Sequence, residues 1–524
     1  MNLSTAPIYK LINKIENSPA PLTYFILTFL SFATLRNFLE AILPPSKGTL
    51  LKFSYLLEQF SHYYLWYISL ALVLILFFYF LTKEKIEKIT KVVLLGFFLI
   101  ILGPIIDVFW SGGTGFGINY CPPEQLIKSK DYLTAFLTIG GNLEYSEGLE
   151  AGSRVGFGVT PGMRIEIIIA VFLSFFYLKL KTKNIKKSLL GAFLFYSLLG
   201  PFAAIPTALK LIFDFFSIDY EPSAEIFRNY LFFTSLILFF LVLLFRNKKE
   251  MLALIKSIKP LRLLSFELMF ILGMILAKPN FKNLLLDQDR IFYFIFYLIG
   301  IALSWLFMVI VDNLEDTEED KGDEKKKLPG DISPENYKKI PYFLAGLGVI
   351  FGTILGFRAY FLALVAIAAG FLYSAPPLKL KNVVFFSKVL TAFVFLVILI
   401  VGYDFAGGNI RYFPKEVAIF LLIPFAACAN FTDLKDYEAE KKLGIKTLPV
   451  ILGMEKSKIL IGFFFLVSYI ILPFLLNLQK LQLWSIFFGV LSFAVLIRKK
   501  YEEKLVFFVF LLSLLPLAFY LLKR

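Results

Sequence analysis

Two stretches of this chain carry side chains that can do chemistry. Residues 312–331 read DNLEDTEEDKGDEKKKLPGD, nine carboxylates in twenty positions directly after an apolar run. Residues 433–453 read DLKDYEAEKKLGIKTLPVILG and also follow an apolar run. In the first, Asn313, Asp316 and Asp320 are separated by three and then four residues; in the second, Asp433, Asp436 and Glu440 repeat the interval. On a helix that spacing sets the three side chains on one face across two turns. Either stretch taken alone reads as a solvated connector. Two such faces at one membrane level demand more, because like charges at this spacing repel unless cations lie between them. Hard oxygen donors suit Mg²⁺, which takes one or two carboxylates and completes its shell with water and substrate phosphate oxygens.

The elements that must position these groups are membrane helices. The chain of 524 residues is 58% hydrophobic and 18% aromatic, with a mean hydropathy of +0.75. Its apolar runs recur at about the 20 residues needed to cross a bilayer, and in lipid only helices or closed barrels satisfy the backbone. The pattern predicts an all-α polytopic membrane protein with about fifteen transmembrane helices. Six fall before residue 250 and nine after residue 260, with the basic connector RNKKEMLALIKSIKPLR at 246–262 as the boundary. The predicted domains are therefore 1–250, a six-helix membrane domain of unassigned function, and 260–524, a nine-helix bundle that holds both acidic stretches.

Loop charge predicts the orientation, since Lys and Arg are retained on the cytoplasmic side. KEKIEKITK at 83, KTKNIKK at 181 and the 246–262 connector fall on one side under alternation, whereas DFFSIDYEPSAE at 214 carries no Lys or Arg. The expectation is a multi-pass protein of the cell membrane, with the N-terminus and both acidic stretches in the cytoplasm. The net charge of +15 belongs mostly to these loops. No compact basic stripe with stacking aromatics accompanies it, so nucleic acid is not an expected partner. Cys121 in an outer loop and Cys428 within a span are placed too far apart to form a disulfide. Asp107 and Glu166, acids in or beside the N-terminal spans, are candidates for a polar cavity or for interfacial positions.

Three segments in order, VDNLEDTEEDKGDEKKKLPGDIS, YSAPPLKLK and DLKDYEAEKKLGIKTLPVILG, resemble the motifs of the UbiA family of intramembrane prenyltransferases. The resemblance covers about residues 260–524. It implies a nine-helix fold, Mg²⁺ held by two aspartate-rich motifs, an isoprenyl diphosphate substrate, and transfer of the prenyl chain to a hydrophobic, membrane-associated acceptor. An aromatic quinone precursor or a glycerolipid fits the second motif best. Asp316, Asp320, Asp433 and Asp436 match the family's motif aspartates. Asp312 stands at the family's Asn position and Asn313 at its first Asp position, so their order is swapped, and Glu440 replaces the usual third Asp. The implied metal set is Asp312, Asn313, Asp316, Asp320, Asp433, Asp436 and Glu440.

The chemistry asks for more cations, because an allylic diphosphate ionises only when charge building on the leaving group is stabilised. Lys327, Lys379, Lys381 and Lys435 are the local candidates for diphosphate contacts, with Tyr373 as a hydroxyl donor. Two other readings stay open at this level. A transporter also accounts for many spans and intramembrane acids, and a lipid-binding member without catalysis accounts for the Asp312 and Asn313 swap.

Overall fold

The computed structural model describes residues 7–42, 53–113, 136–137, 139, 159–203, 215, 224–277, 288–319, 332, 334–355, 357–383 and 386–523. Within these the protein is helical. The chain divides into two compact units, Met1–Lys248 and Lys249–Arg524.

Ten helical stretches among the described residues are long and apolar enough to cross a membrane. Four lie in the first unit, Leu22–Leu39, Tyr63–Thr82, Ile86–Trp110 and Arg228–Arg246. Six lie in the second, Arg290–Glu315, Phe386–Phe405, Lys415–Lys435, Met454–Leu475, Gln479–Leu496 and Glu503–Tyr520. This corrects the expected fifteen and the expected division into six and nine. The apolar run at 261–279, one of the nine expected after residue 260, forms Pro260–Leu276, a helix of 17 residues, short for a bilayer core. The apolar run at 163–180, one of the six expected before residue 250, forms Pro161–Thr182, which carries Arg164 and Glu166 near its start and Lys179 and Lys181 at its end. The described parts of the apolar runs at 188–213, 340–356 and 358–374 fall in the helices Ile185–Ala203, Pro334–Leu355 and Phe357–Ser374 without an uninterrupted described stretch of spanning character, and residues 204–213 and 356 lie outside the described residues.

The outward faces are apolar. Phe109, Tyr342 and Leu483 are each more than 80% exposed, an arrangement that suits hydrocarbon rather than water. The interiors use small and hydroxylated residues, which let membrane helices approach closely. In the first unit Ser69 and Ser235 share a hydrogen bond of 2.6 Å between two spans. Helix Pro161–Thr182 begins as its sequence directs, with Pro161 in the first turn and the Thr160 hydroxyl accepting the Met163 N–H at 3.2 Å.

Asp107 and Glu166 are helix-end acceptors in this unit. Asp107 is buried; it accepts from the Thr160 hydroxyl at 2.5 Å and from the Gly162 N–H at 2.7 Å. Glu166 accepts the Gly103 N–H at 2.6 Å. Two carboxylates thus satisfy backbone and side-chain donors where helix ends meet inside the unit.

In the second unit, helix Pro260–Leu276 packs on Phe386–Phe405 through glycine. A Cβ on Gly402 would stand 1.9 Å from the Phe270 carbonyl oxygen, and one on Gly273 would stand 2.0 Å from that of Leu399. Close backbone approach is therefore the condition of this packing, and it aligns the two helices whose basic ends border the candidate site.

Candidate active site

The first acidic stretch begins at the C-terminal end of helix Gln288–Glu319. The Asp312 carboxylate accepts from the Ser374 hydroxyl at 3.0 Å and from the Lys381 ammonium at 3.0 Å. Glu315 pairs with Lys379 at 3.3 Å. The Asn313 amide donates to the hydroxyl of the fully buried Tyr337 at 3.2 Å. The YSAPPLKLK segment therefore folds back on the acidic helix end and supplies two of its lysines to it. The side chain of Asp316, and Asp320 and Lys327 altogether, lie outside the described residues.

The second stretch is not one helical face. A tight turn of 3-10 helix, Ala429–Lys435, ends at Asp436, and a new short helix starts at Tyr437. Asp433 lies in the first piece, Asp436 at the junction and Glu440 in the second. Asp433 receives the Lys388 ammonium, which also donates to the Thr432 hydroxyl at 3.0 Å. Glu440 accepts from the Thr447 hydroxyl at 2.7 Å. Burial pushes the Glu440 carboxyl up to about 7, with repulsion from Asp433 and Asp436 acting in the same direction against the Thr447 hydrogen bond. Asp436 is exposed, with Lys435 at 3.8 Å.

Behind these groups runs a cavity of about 240 Å³. Its polar lining includes Lys259, Arg262, Asp312, Tyr373, Lys388 and Thr432. Along helix Phe386–Phe405 the lining passes from Lys388 through Thr391 and Phe395 to Leu399, roughly 16 Å at 1.5 Å per residue. Along helix Pro260–Leu276 it passes from Arg262 through Phe266 and Met269 to Leu276. Phe266 and Phe395, both in the lining, stack on each other with ring centroids 4.3 Å apart. Charge at one end and aromatic walls along the rest suit an anionic head on an apolar chain.

Basic side chains add to the charged end. Arg262 pairs with Glu503, and Lys435 reaches the same carboxylate at 3.0 Å. Burial, with the neighbouring Arg262 guanidinium acting in the same direction, lowers the Lys259 ammonium from the usual lysine value. The chemistry of the donor set fits Mg²⁺: hard carboxylate oxygens with lysine and arginine cations beside them. Among the described residues no three acidic side chains converge as a ready metal cluster; Asp312 and Asp433 each turn an oxygen to a lysine instead.

Of the residues named from sequence, Asp312, Lys381, Lys379 and Tyr373 are gathered at one helix end, while Asp433 and Lys435, Asp436, and Glu440 are divided between a 3-10 turn, its junction and a short helix. Lys388, Lys259 and Arg262 were missed. Lys388 did carry a signal, being the single cation in helix FSKVLTAFVFLVILIVGYDF, and a charged residue in an apolar helix is a functional candidate by default.

Residues 268–520 match the UbiA prenyltransferase family. The C-terminal portion of this chain is a UbiA-family domain. It contains both acidic stretches and most of the cavity lining, while Lys259, Arg262, Ser265 and Phe266 lie just ahead of the matched residues. This chain is similar to digeranylgeranylglyceryl phosphate synthase of Pyrococcus horikoshii, 30% identical over 128 residues, 24% of this chain. The chain spans 43% of the length of that curated relative. Among solved structures, a UbiA homologue from Archaeoglobus fulgidus bound to GPP and Mg²⁺ aligns with 52% of this chain and 100% of its own, at 16% identity and a TM-score of 0.42. A structure reported for digeranylgeranylglyceryl phosphate synthase in membranes aligns with 52% of this chain and 98% of its own, at 19% identity and a TM-score of 0.38.

Proposed function

We propose that this multi-pass membrane protein is a Mg²⁺-dependent prenyltransferase that moves a prenyl chain from an isoprenyl diphosphate to a hydrophobic acceptor, a glycerolipid. One observation carries the reading. One cavity in the second unit is bordered by the charged side chains of Asp312 and Lys388 with the Thr432 hydroxyl beside them, and by the aromatic rings of Phe266 and Phe395. Similarity to a glyceryl phosphate synthase supports the glycerolipid acceptor, and Lys259 with Arg262 offers cationic partners to an acceptor phosphate.

The reaction breaks the bond between the allylic carbon and the diphosphate oxygen, and the electron pair leaves with diphosphate. The acceptor hydroxyl oxygen then bonds to that carbon, and its proton passes to the released diphosphate. Lys379, Lys381 and Lys435, with Lys327 and the Tyr373 hydroxyl, hold the diphosphate. Asp316, Asp320, Asp433 and Asp436, together with Asp312, Asn313 and Glu440, are the oxygen donors for Mg²⁺, which when bound neutralises the charge that builds on the leaving group. The aromatic walls exclude water from the allylic cation and face it with π electrons.

The N-terminus and the acidic stretches face the cytoplasm in this proposal, from the bias of Lys and Arg among the loops. An impermeant thiol reagent should label Cys121 in intact cells and spare Cys428; labelling of Cys121 only after permeabilisation reverses the orientation.

The activity is tested by mixing full-length protein with geranylgeranyl diphosphate, Mg²⁺ and a glyceryl phosphate lipid. Diphosphate release matched by a prenylated lipid in the mass spectrum is expected. Uptake of substrate into vesicles without diphosphate release would support a transporter, and binding without release a non-catalytic lipid-binding protein; either overturns the proposal.

A further inference from the structure

We propose that Lys388 is a built-in cation of the diphosphate site, paired with one oxygen of Asp433, so that the second acidic stretch binds Mg²⁺ more weakly than its carboxylates alone would. The inference rests on the reading of this cavity as a diphosphate site.

Four observations carry it. The Lys388 side chain is 8% exposed and that of Asp433 is 13% exposed, and charges so buried stay in place only when paired. The ammonium has three donors, and among the described residues Asp433 and Thr432 take two, which leaves one for an anion in the cavity that Lys388 lines. Lys388 is also the third residue of its helix. A lysine there opposes the helix dipole, so helix stability does not select it, yet the helix end adds its own partial positive charge toward an anion. Finally, the next charged residue of that helix is Asp404, so the lysine is not part of a solvated face.

The consequence is a competition. A divalent cation can take the paired oxygen of Asp433 only by displacing the ammonium, whereas a diphosphate oxygen can accept from that ammonium without breaking the pair. Lys388 is thus a fixed charge for the leaving group that needs no metal to be loaded at Asp433.

Two binding measurements on full-length protein in detergent test this, with inorganic diphosphate in the presence of chelator as one probe and Mg²⁺ alone as the other. Lys388→Gln should weaken metal-free diphosphate binding by about tenfold to a hundredfold, the worth of one charge-assisted hydrogen bond. It should also tighten Mg²⁺ binding or add an equivalent, because Asp433 is released. Asp433→Asn provides the second reading from the other partner and should retain or strengthen metal-free diphosphate binding. Monodisperse Lys388→Gln protein that binds both probes as wild type does overturns the inference, as does loss of metal-free binding in Asp433→Asn. Wild type that turns over a prenyl diphosphate while Lys388→Gln is unchanged in both measurements overturns this inference alone. Lys388-dependent binding in a protein that releases no diphosphate supports it and overturns the enzymatic reading instead.

Discussion

Lys381 and Asp312 lie 3.0 Å apart, ammonium to carboxylate, although 68 residues separate them in the chain, and the Ser374 hydroxyl meets the same carboxylate oxygen. The contact closes the YSAPPLKLK segment onto the acidic helix end. Under the proposed function it holds one cation beside the diphosphate and screens one carboxylate that would repel the substrate. Lys381→Met should therefore raise the KM for prenyl diphosphate by about tenfold to a hundredfold. Steady-state diphosphate release checks this, and an unchanged KM would remove Lys381 from the site.

Asp436 and Asp433 are the described aspartates of the second stretch. Asp436→Asn should lower kcat by about a hundredfold or more while the protein remains inserted and monodisperse, since its exposed carboxylate contributes little to packing. Excess chelator should abolish turnover in the wild type. Full activity in either experiment rules out the metal-dependent mechanism.

Asn313→Ala is a contrasting case. Its amide donates to the Tyr337 hydroxyl at 3.2 Å, so the change should cost about 0.5–1.5 kcal/mol of stability, the usual net worth of such a bond. Turnover should fall less than in Asp436→Asn. Thermal unfolding in detergent, read beside kcat, separates the two effects.

Gly402→Ala should destabilise the second unit. The added Cβ would meet the Phe270 carbonyl oxygen at 1.9 Å, and backbone cannot yield as a flexible side chain does. Helices Pro260–Leu276 and Phe386–Phe405 must separate, at a cost of about 1–3 kcal/mol. A lowered Tm is the expected result, and a Tm equal to wild type would contradict this packing.

Glu440 gives a pH signature in protein freed of divalent cations. The unfolded chain loses this proton near 4.5, while burial holds it in the folded protein up to about 7. Folding therefore takes up a proton in that interval, and the associated stability, complete below 4.5, is lost as pH rises through 7. Glu440→Gln keeps an acceptor for the Thr447 hydroxyl without the ionisation. Its Tm should pull ahead of wild type as pH rises across this window, and a constant difference would refute the assignment.

What the sequence determined by itself was the local chemistry. Carboxylates at the ends of apolar runs, lysines in YSAPPLKLK and a lipid-facing composition are properties of neighbouring residues, and they were enough to indicate a membrane protein with a UbiA-like C-terminal half. Only tertiary structure decided which charges meet. Lys388 and Asp433 are 45 residues apart, and no spacing rule links them; they pair because burial makes each the partner that offsets the other's desolvation. The interval 433, 436, 440 suggested one helical face, but the chain changes helix at Asp436, because a break of this kind depends on what the segment packs against. Helix ends are decided in a related way, as in Pro260–Leu276, a helix of 17 residues where the apolar run covers 261–279. Hydropathy marks where a chain tolerates lipid, whereas the starts, stops and lengths of helices such as Pro260–Leu276 follow from caps, charges and close glycine contacts that appear only when the chain is folded.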